Sequence, residues 1–137
     1  MRVNIWCDGS AMPNGGPAGA GYVIVGDVQL LGSDALGEAT NNIAEYTAVL
    51  NALRTAADGG ATRAYVRMDS SVVFRQLTGG SECYAEHLKA LRAAVLQQKA
   101  RFTGGVTFAR IPRERNAVAD ALAKAAAIAS KAAQRSH

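Results

Sequence analysis

The segment Thr40–Gly60 reads TNNIAEYTAVLNALRTAADGG, and its apolar residues recur at the three- and four-residue spacing of an amphipathic helix. These apolar residues are Ile43, Tyr46, Leu50, Leu53 and Ala57. Because glycine is common just beyond a helix, the pattern predicts a helix that begins near Asn42 and ends at Asp58-Gly59-Gly60. The segments on either side of this helix then decide the fold class.

Three β-rich segments precede the helix, and turn residues separate them. They are Val3–Cys7, which runs into Asp8-Gly9-Ser10, followed by Gly21–Val25 and Val28–Leu36. Because the connections between these segments are short, we expect an antiparallel meander.

Strands and helices alternate after the helix. The predicted elements are a strand at Ala64–Met68, a short helix at Val72–Leu77 capped by Ser70 or Ser71, a helix from about Tyr84 to Lys99, a strand at Val106–Ile111 and a last helix from near Asn116 to about Ala133. The order βββαβααβα predicts an α/β fold whose mixed five-stranded sheet, three antiparallel strands followed by two parallel ones, is flanked by helices. We expect one domain over residues 1–137, with 134–137 as a frayed tail.

Composition excludes several classes of protein. The chain has 137 residues and a formal net charge of +4, and no apolar run approaches the roughly 18 residues of a membrane span. Its N-terminal apolar stretch is too short for a signal sequence, and the spacing of Cys7 and Cys83 suits free thiols in a reducing compartment. We expect a cytoplasmic monomer without a membrane partner.

Four acidic residues have positions that suit a shared site. Asp8 and Asp69 each follow a predicted strand, where open α/β sheets bind ligands, while Glu45 and Asp120 lie near the starts of helices. No cluster of histidine or cysteine accompanies them, and ligands that are all carboxylate oxygens favour Mg²⁺ or Mn²⁺ over Zn²⁺. Two such ions would hold a phosphodiester, one activating water and the other stabilising the leaving oxygen.

Each acid also has a purely structural explanation. Aspartate is common in turns, which would account for Asp8 and Asp69 at the ends of predicted strands. Glu45 would complement the dipole of its helix, and Asp120 would lie on an exposed helical surface. Sequence periodicity does not show that the four side chains meet. If they do meet, the rest of the molecule contains 7 acidic and 15 basic residues. This excess of positive charge would either attract a polyanion or simply form a solvated basic surface.

Five ordered blocks resemble type 1 ribonuclease H in sequence and separation. They are Asp8–Ser10, Gly19–Gly21, Thr40–Tyr46, Met68–Ser70 and Ile111–Asp120. The resemblance implies a ribonuclease H-like fold and a nuclease that cuts the RNA strand of an RNA–DNA hybrid, leaving 5′-phosphate and 3′-hydroxyl ends. It implies two Mg²⁺ ions, for which Mn²⁺ can substitute, bound by Asp8, Glu45, Asp69 and Asp120.

The same resemblance implies a set of substrate contacts. Asn14 and Asn41 match side chains that face the minor groove, where a hybrid shows its 2′-hydroxyls. Thr40 matches a phosphate-binding threonine, and Gly9 a position where backbone approaches a ribose. The remaining contacts implied are Asn42, Ser71, Arg113, Arg115 and Asn116. For Asn42 and Ser71, a role as turn or cap residues is an equal alternative.

Two departures place the chain with the compact members of that family. A basic, tryptophan-rich projection is missing, since residues 77–82 lead directly to the next helix and the only tryptophan is Trp6. The loop before the last helix contains no histidine, and neither His87 nor His137 is expected to replace one. The main alternative is a noncatalytic hybrid-binding module of the same fold, against which the presence of all four acids argues. A nuclease domain of a larger protein and a transposase-like enzyme are further alternatives.

Overall fold

The computed structural model describes residues 1–83 and 85–135. Its strands are β1 (Arg2–Ala11), β2 (Pro17–Val25), β3 (Gln29–Glu38), β4 (Arg63–Met68) and β5 (Val106–Arg110). Its helices are α1 (Asn41–Asp58), α2 (Ser71–Thr78), α3 (Glu86–Lys99) and α4 (Ala117–Arg135), with a 3₁₀ turn at Arg113–Arg115. Over these residues the predicted order of elements is confirmed.

The strands form one mixed sheet in the order β3-β2-β1-β4-β5. β1 pairs antiparallel with β2, and β2 with β3, whereas β4 pairs parallel with both β1 and β5. This is the predicted arrangement of three antiparallel strands followed by two parallel ones. The parallel pairing of β1 with β4 ends at Trp6 and Arg67, two residues before Asp8 and Asp69.

The predicted end of β1 and the predicted start of the C-terminal tail differ from the structure. β1 continues to Ala11, so Asp8 lies inside a strand opposite Gly21 rather than at its end, because β2 extends the antiparallel pairing. Gln134 and Arg135 belong to α4 rather than to a frayed tail. Residues 136–137, and Tyr84 where the third helix was expected to start, lie outside the described residues.

Alternating residues of β1 divide the sheet into two faces. Val3, Ile5 and Cys7 point into the main core, where they meet Tyr46 of α1 and Val66 of β4. Full burial of a large apolar side chain contributes about 1.5–3 kcal/mol, so this face supplies most of the packing energy. Helix α1 packs on this face, α2 contacts β5, and α3 packs against α1.

Helix α4 packs on the opposite face, over β1, β2 and β3. Its alanine-rich sequence meets glycines of β2: a Cβ on Gly21 would lie 2.5 Å from the Ala119 carbonyl oxygen. Ser130 closes the contact by donating to the Ala18 carbonyl at 2.7 Å and accepting from the Gly37 amide at 3.1 Å. Small side chains on both elements therefore let α4 lie close enough to bring its first turn to the ends of β1 and β4.

Candidate active site

Three of the four predicted acids converge at one end of the sheet. Asp8 of β1, Glu45 of α1 and Asp69, which follows β4, each offer a carboxylate oxygen, and these oxygens lie within 4.8 Å of one another. Asp8 and Asp69 are brought together because β1 and β4 are parallel neighbours. Helix α1 adds Glu45 from above the core face.

Gly9 lets α1 approach β1 closely enough for this arrangement. A Cβ on Gly9 would lie 2.3 Å from both the Ala44 carbonyl carbon and the Glu45 amide nitrogen, a distance that backbone atoms cannot accommodate. The Gly9 amide also donates to Asp8 Oδ1 at 2.9 Å. Gly9 thus serves the packing of the site, and its approach to a ribose stays a prediction.

Asn116 holds the third acid in place. Its Nδ2 donates to Asp69 Oδ2 at 2.9 Å and to the Cys7 carbonyl at 2.8 Å. Asn116 is only 1% exposed, and among the described residues its Oδ1 has no hydrogen-bond partner. The expected role of Asn116 as a substrate contact therefore does not fit the structure, because the side chain is buried between β1, β4 and α4.

Asp120 lies in the first turn of α4 at the edge of the acidic cluster. Its backbone amide donates to the Asn116 carbonyl at 3.0 Å, and its Oδ2 pairs with Lys124 Nζ at 3.0 Å. The Asp120 side chain is 26% exposed, so it faces solvent more than the buried Asp8 and Glu45 do. Burial alone would raise its pKa, but hydrogen bonds to Lys124 and Asp8 outweigh this and place the pKa below its ordinary value.

Burial and mutual repulsion make the cluster hard to ionise. The pKa of Asp8 is raised to about 7, mainly by burial, with repulsion from Asp69 adding to it. Burial, followed by the charge of Asp8, raises the pKa of Glu45 well above its ordinary range. Because carboxylates this close cannot all be charged without a counter-ion, the arrangement favours either a bound proton or a bound cation.

A groove of about 480 Å³ lies over the acids. Of the predicted substrate contacts, those that line it are Gly9, Asn41, Asn42, Ser71 and Arg113. The groove is also lined by five residues that were not predicted as site residues: Ser10, Met12, Ser70, Val72 and Lys124. Among them, Lys124 is the residue whose spacing indicates a contact with the site, because it lies four residues after Asp120 and so on the same face of α4.

Asn14 and Thr40 support the N-terminus of α1 beside the groove. Asn14 Oδ1 accepts a hydrogen bond from the Asn41 amide at 2.8 Å, and Asn41 Oδ1 accepts from the Ala11 amide at 2.9 Å. Thr40 is the N-cap of α1 and accepts from the Ile43 amide at 3.2 Å. These contacts anchor the 12–16 loop against α1.

Arg115 is not brought to the groove. Its side chain lines a separate cavity beside Trp6, although Arg113, two residues earlier, lines the groove itself. The 3₁₀ turn that contains both arginines places them on different surfaces. Of the two arginines predicted to contact substrate, Arg113 alone lines the groove, and the role of Arg115 stays a prediction.

This fold, with Asp8 inside β1, Asp69 after the neighbouring parallel strand β4 and Glu45 on α1, is the arrangement that the resemblance to ribonuclease H implies. Residues 6–126 match the family model described as reverse transcriptase-like. The chain belongs to this family, and its resemblance to compact type 1 ribonuclease H is confirmed.

Similar proteins support the assignment. Ribonuclease HI of Halobacterium salinarum is 38% identical over 128 residues, which are 91% of this chain and 64% of that protein. The N-terminal RNase H domain of a bifunctional Mycobacterium tuberculosis protein, solved as a fusion, superposes with a TM-score of 0.86 at 35% identity, covering 90% of this chain and 97% of that one. LC11-RNase H1, isolated from compost and solved with an RNA/DNA hybrid, gives a TM-score of 0.82 at 36% identity over 89% of this chain and 94% of that one.

The chain is shorter than the full-length relatives. It spans 64% of the Halobacterium protein and 35% of the Mycobacterium protein. Among residues 1–83 and 85–135, no helix has both the length and the apolar character needed to cross a bilayer.

Proposed function

We propose that this protein is an endoribonuclease that hydrolyses the RNA strand of RNA–DNA hybrids by a two-metal-ion mechanism, leaving 5′-phosphate and 3′-hydroxyl ends. The observation that carries the proposal is the convergence of Asp8, Glu45 and Asp69 within 4.8 Å, with Asp120 at the edge of the same groove. Relatives named ribonuclease H, and a structural neighbour solved with an RNA/DNA hybrid, support the choice of substrate.

The donor set fits Mg²⁺, with Mn²⁺ as a substitute. Carboxylate oxygens are hard ligands, and the raised pKa values of Asp8 and Glu45 mean that a nearby positive charge favours ionisation of the pair. Bound divalent ions would supply an activated water and stabilisation of the leaving oxygen. The protein's part is to hold Asp8, Glu45, Asp69 and Asp120 in register, with Asn116 orienting Asp69.

The substrate side of the groove offers donors to a hybrid. The side-chain oxygens of Asn14 and Asn41 already accept hydrogen bonds from backbone amides. Their side-chain nitrogens are therefore the groups that can donate to base edges and 2′-hydroxyls. Arg113 adds a permanent positive charge for phosphate, and the Thr40 hydroxyl can donate to one while it caps α1. Asn42 and Ser71 line the groove between these groups and the acids.

The chain supplies all of these groups itself, which supports action as a monomer built as one ribonuclease H domain over residues 1–137. The thiols of Cys7 and Cys83 are free, in keeping with a reducing cytoplasm.

A direct test is to incubate the protein with an end-labelled RNA–DNA hybrid, an RNA duplex and a DNA duplex, in Mg²⁺, in Mn²⁺ and in EDTA. We expect cleavage of the hybrid's RNA strand alone, only with divalent metal, and products that a 5′-phosphate-dependent exonuclease degrades. Tight metal-independent binding of the hybrid without cleavage in either metal would indicate a noncatalytic hybrid-binding module instead.

A further inference from the structure

The sheet face that carries α4 is only partly covered. Helix α4 packs over β1, β2 and β3, and solvent reaches the remainder, where Arg2, Arg63 and Thr107 are exposed. We call this remainder the outer face. Its members are Arg2, Asn4 and Trp6 of β1, Arg63, Tyr65 and Arg67 of β4, and Thr107 of β5.

Arginine and aromatic side chains alternate across this face. The guanidinium carbon of Arg67 lies 4.8 Å from the centre of the Trp6 ring, and those of Arg63 and Arg2 lie 5.3 and 5.8 Å from the Tyr65 ring. Side-chain hydrogen bonds fix two of them, since Arg67 donates to Asn4 Oδ1 at 3.1 Å and Arg63 to the Tyr65 hydroxyl at 3.0 Å. The result is an ordered row of rings and guanidinium planes.

The charges on the outer face have no acidic counterpart among its members. Arg2 and Arg63 are direct register partners on neighbouring strands, so two like charges stand side by side. Such a placement raises the local positive potential and so favours the binding of an anion. The three arginines thus offer a binding surface for a polyanion.

The rings specify which polyanion fits. Unpaired bases stack on aromatic rings and on guanidinium planes, whereas paired bases in a duplex hide their faces.

Beside Trp6 a cavity of about 380 Å³, lined by Val23, Arg115 and Val118 among others, is within the size range of small-molecule sites. Glu114 also lines this cavity and lies at its end nearest the 3₁₀ turn.

We propose that the outer face binds single-stranded nucleic acid, with bases stacked against Trp6 and Tyr65 and phosphates contacted by Arg2, Arg63 and Arg67. The pair Trp6 and Arg67 is two residues from Asp8 and Asp69, or about 7 Å along the strands. A single strand on this face could therefore be continuous with a nucleic acid in the acidic groove. The site is distinct from that groove and needs no metal.

Trp6 is the only tryptophan, so intrinsic fluorescence reports directly on the outer face. The test titrates the protein in EDTA and low salt with 12-nucleotide oligo(dT) and oligo(U), following both Trp6 emission and the anisotropy of a labelled strand. We expect saturable quenching of Trp6. The double variant Arg63→Gln/Arg67→Gln should bind at least tenfold more weakly, with the slope of log K against log salt reduced by about 1.4, or about 0.7 for each phosphate that an arginine no longer neutralises.

The matched control is Arg54→Gln, which removes an exposed positive charge from α1 on the other side of the sheet. It should change affinity less than threefold. Photocrosslinking of wild-type protein with an iodouridine-containing strand provides a second measurement that needs no variant, and we expect crosslinks at Trp6 or Tyr65.

Several results would overturn the proposal. Binding without any change in Trp6 emission, equal affinity of the double variant and wild type, or crosslinks confined to the groove would each place the strand elsewhere. No binding of either oligonucleotide at low salt would do the same. Because these measurements contain no metal and no hybrid, their failure leaves the proposed nuclease activity untouched, and loss of that activity would leave single-strand binding intact.

Discussion

Replacing Asp8 with asparagine should stabilise the metal-free protein at pH 8 while it removes a ligand from the acidic cluster. The cause is the burial of Asp8, which is 4% exposed, beside Glu45 and Asp69. At pH 8 the wild-type cluster must carry charges that neither solvent nor a counter-ion compensates. Asparagine keeps the oxygen that accepts from the Gly9 amide and carries no charge.

The size of the effect follows from the pKa of Asp8. Its ordinary value of 3.8 is raised to about 7 in the folded protein, so the folded state binds this proton more tightly than the unfolded state does. Stability from this group is therefore greatest below about pH 4, decreases between pH 4 and 7, and stays low above pH 7. At about 1.4 kcal/mol for each factor of ten in proton affinity, the loss amounts to about 4 kcal/mol.

The assay is urea unfolding in EDTA from pH 5 to 8.5, followed by circular dichroism. For an m-value of about 2 kcal/mol/M, the midpoint of Asp8→Asn should exceed that of wild type by up to about 2 M at pH 8, and the difference should shrink toward pH 5. Adding Mg²⁺ should raise the wild-type midpoint and leave the variant nearly unchanged, because the ion binds the folded cluster.

Asp58→Asn is the matched control, since Asp58 is exposed and pairs only with Arg101 at the surface. Its free energy of unfolding should stay within about 1 kcal/mol of the wild-type value at every pH. An Asp8→Asn variant no more stable than wild type at pH 8 in EDTA would refute the electrostatic reasoning.

Asn116→Ala removes the hydrogen bonds to Asp69 and to the Cys7 carbonyl, and should cost about 1–3 kcal/mol of stability and lower kcat more than it changes KM. Gly19→Val places a side chain against the backbone of α4, where a Cβ alone would lie 2.5 Å from a carbonyl oxygen, and should cost at least about 3 kcal/mol in urea unfolding. His87→Ala should keep activity within a few-fold, because His87 is exposed on α3, whereas Arg113→Ala should raise KM for the hybrid.

Each of these has a result that would count against it. An Asn116→Ala variant with wild-type kcat would show that Asp69 needs no support. Gly80→Ala serves as the control for Gly19→Val, since a Cβ there makes only ordinary contacts, and equal losses in both would argue against tight packing of α4. A hundredfold loss of turnover in folded His87→Ala would mean that α3 approaches the active site.

Periodicity predicted the order of elements because apolar spacing reports directly on which face of a helix or strand is buried. The helix within Thr40–Gly60 and the alternation of strands and helices after it could therefore be predicted from the sequence. The end of β1 was not, because Asp8-Gly9-Ser10 has the composition of a turn, and its continued pairing depends on the distant Gly19–Gly21 segment. Long-range pairing of this kind leaves no local signal.

The acidic residues of the site could also be predicted from the sequence, but their arrangement in space could not. Resemblance named the four acids, whereas the parallel register of β1 and β4 is what sets Asp8 beside Asp69. The burial of Asn116 and the separation of Arg113 from Arg115 depend on how the 3₁₀ turn meets the sheet, which no spacing in the sequence encodes.

If the acidic cluster binds metal and thereby cleaves RNA in a hybrid, cleavage must depend on both Asp69 and a divalent ion. The most direct measurement compares initial cleavage rates of one RNA–DNA hybrid by wild type, Asp69→Asn and the surface control Asp58→Asn, each in Mg²⁺ and in EDTA. We predict cleavage by wild type and Asp58→Asn in Mg²⁺, and none by Asp69→Asn or by any of the three in EDTA. Cleavage that persists in cleanly purified Asp69→Asn, or in EDTA, would contradict the account.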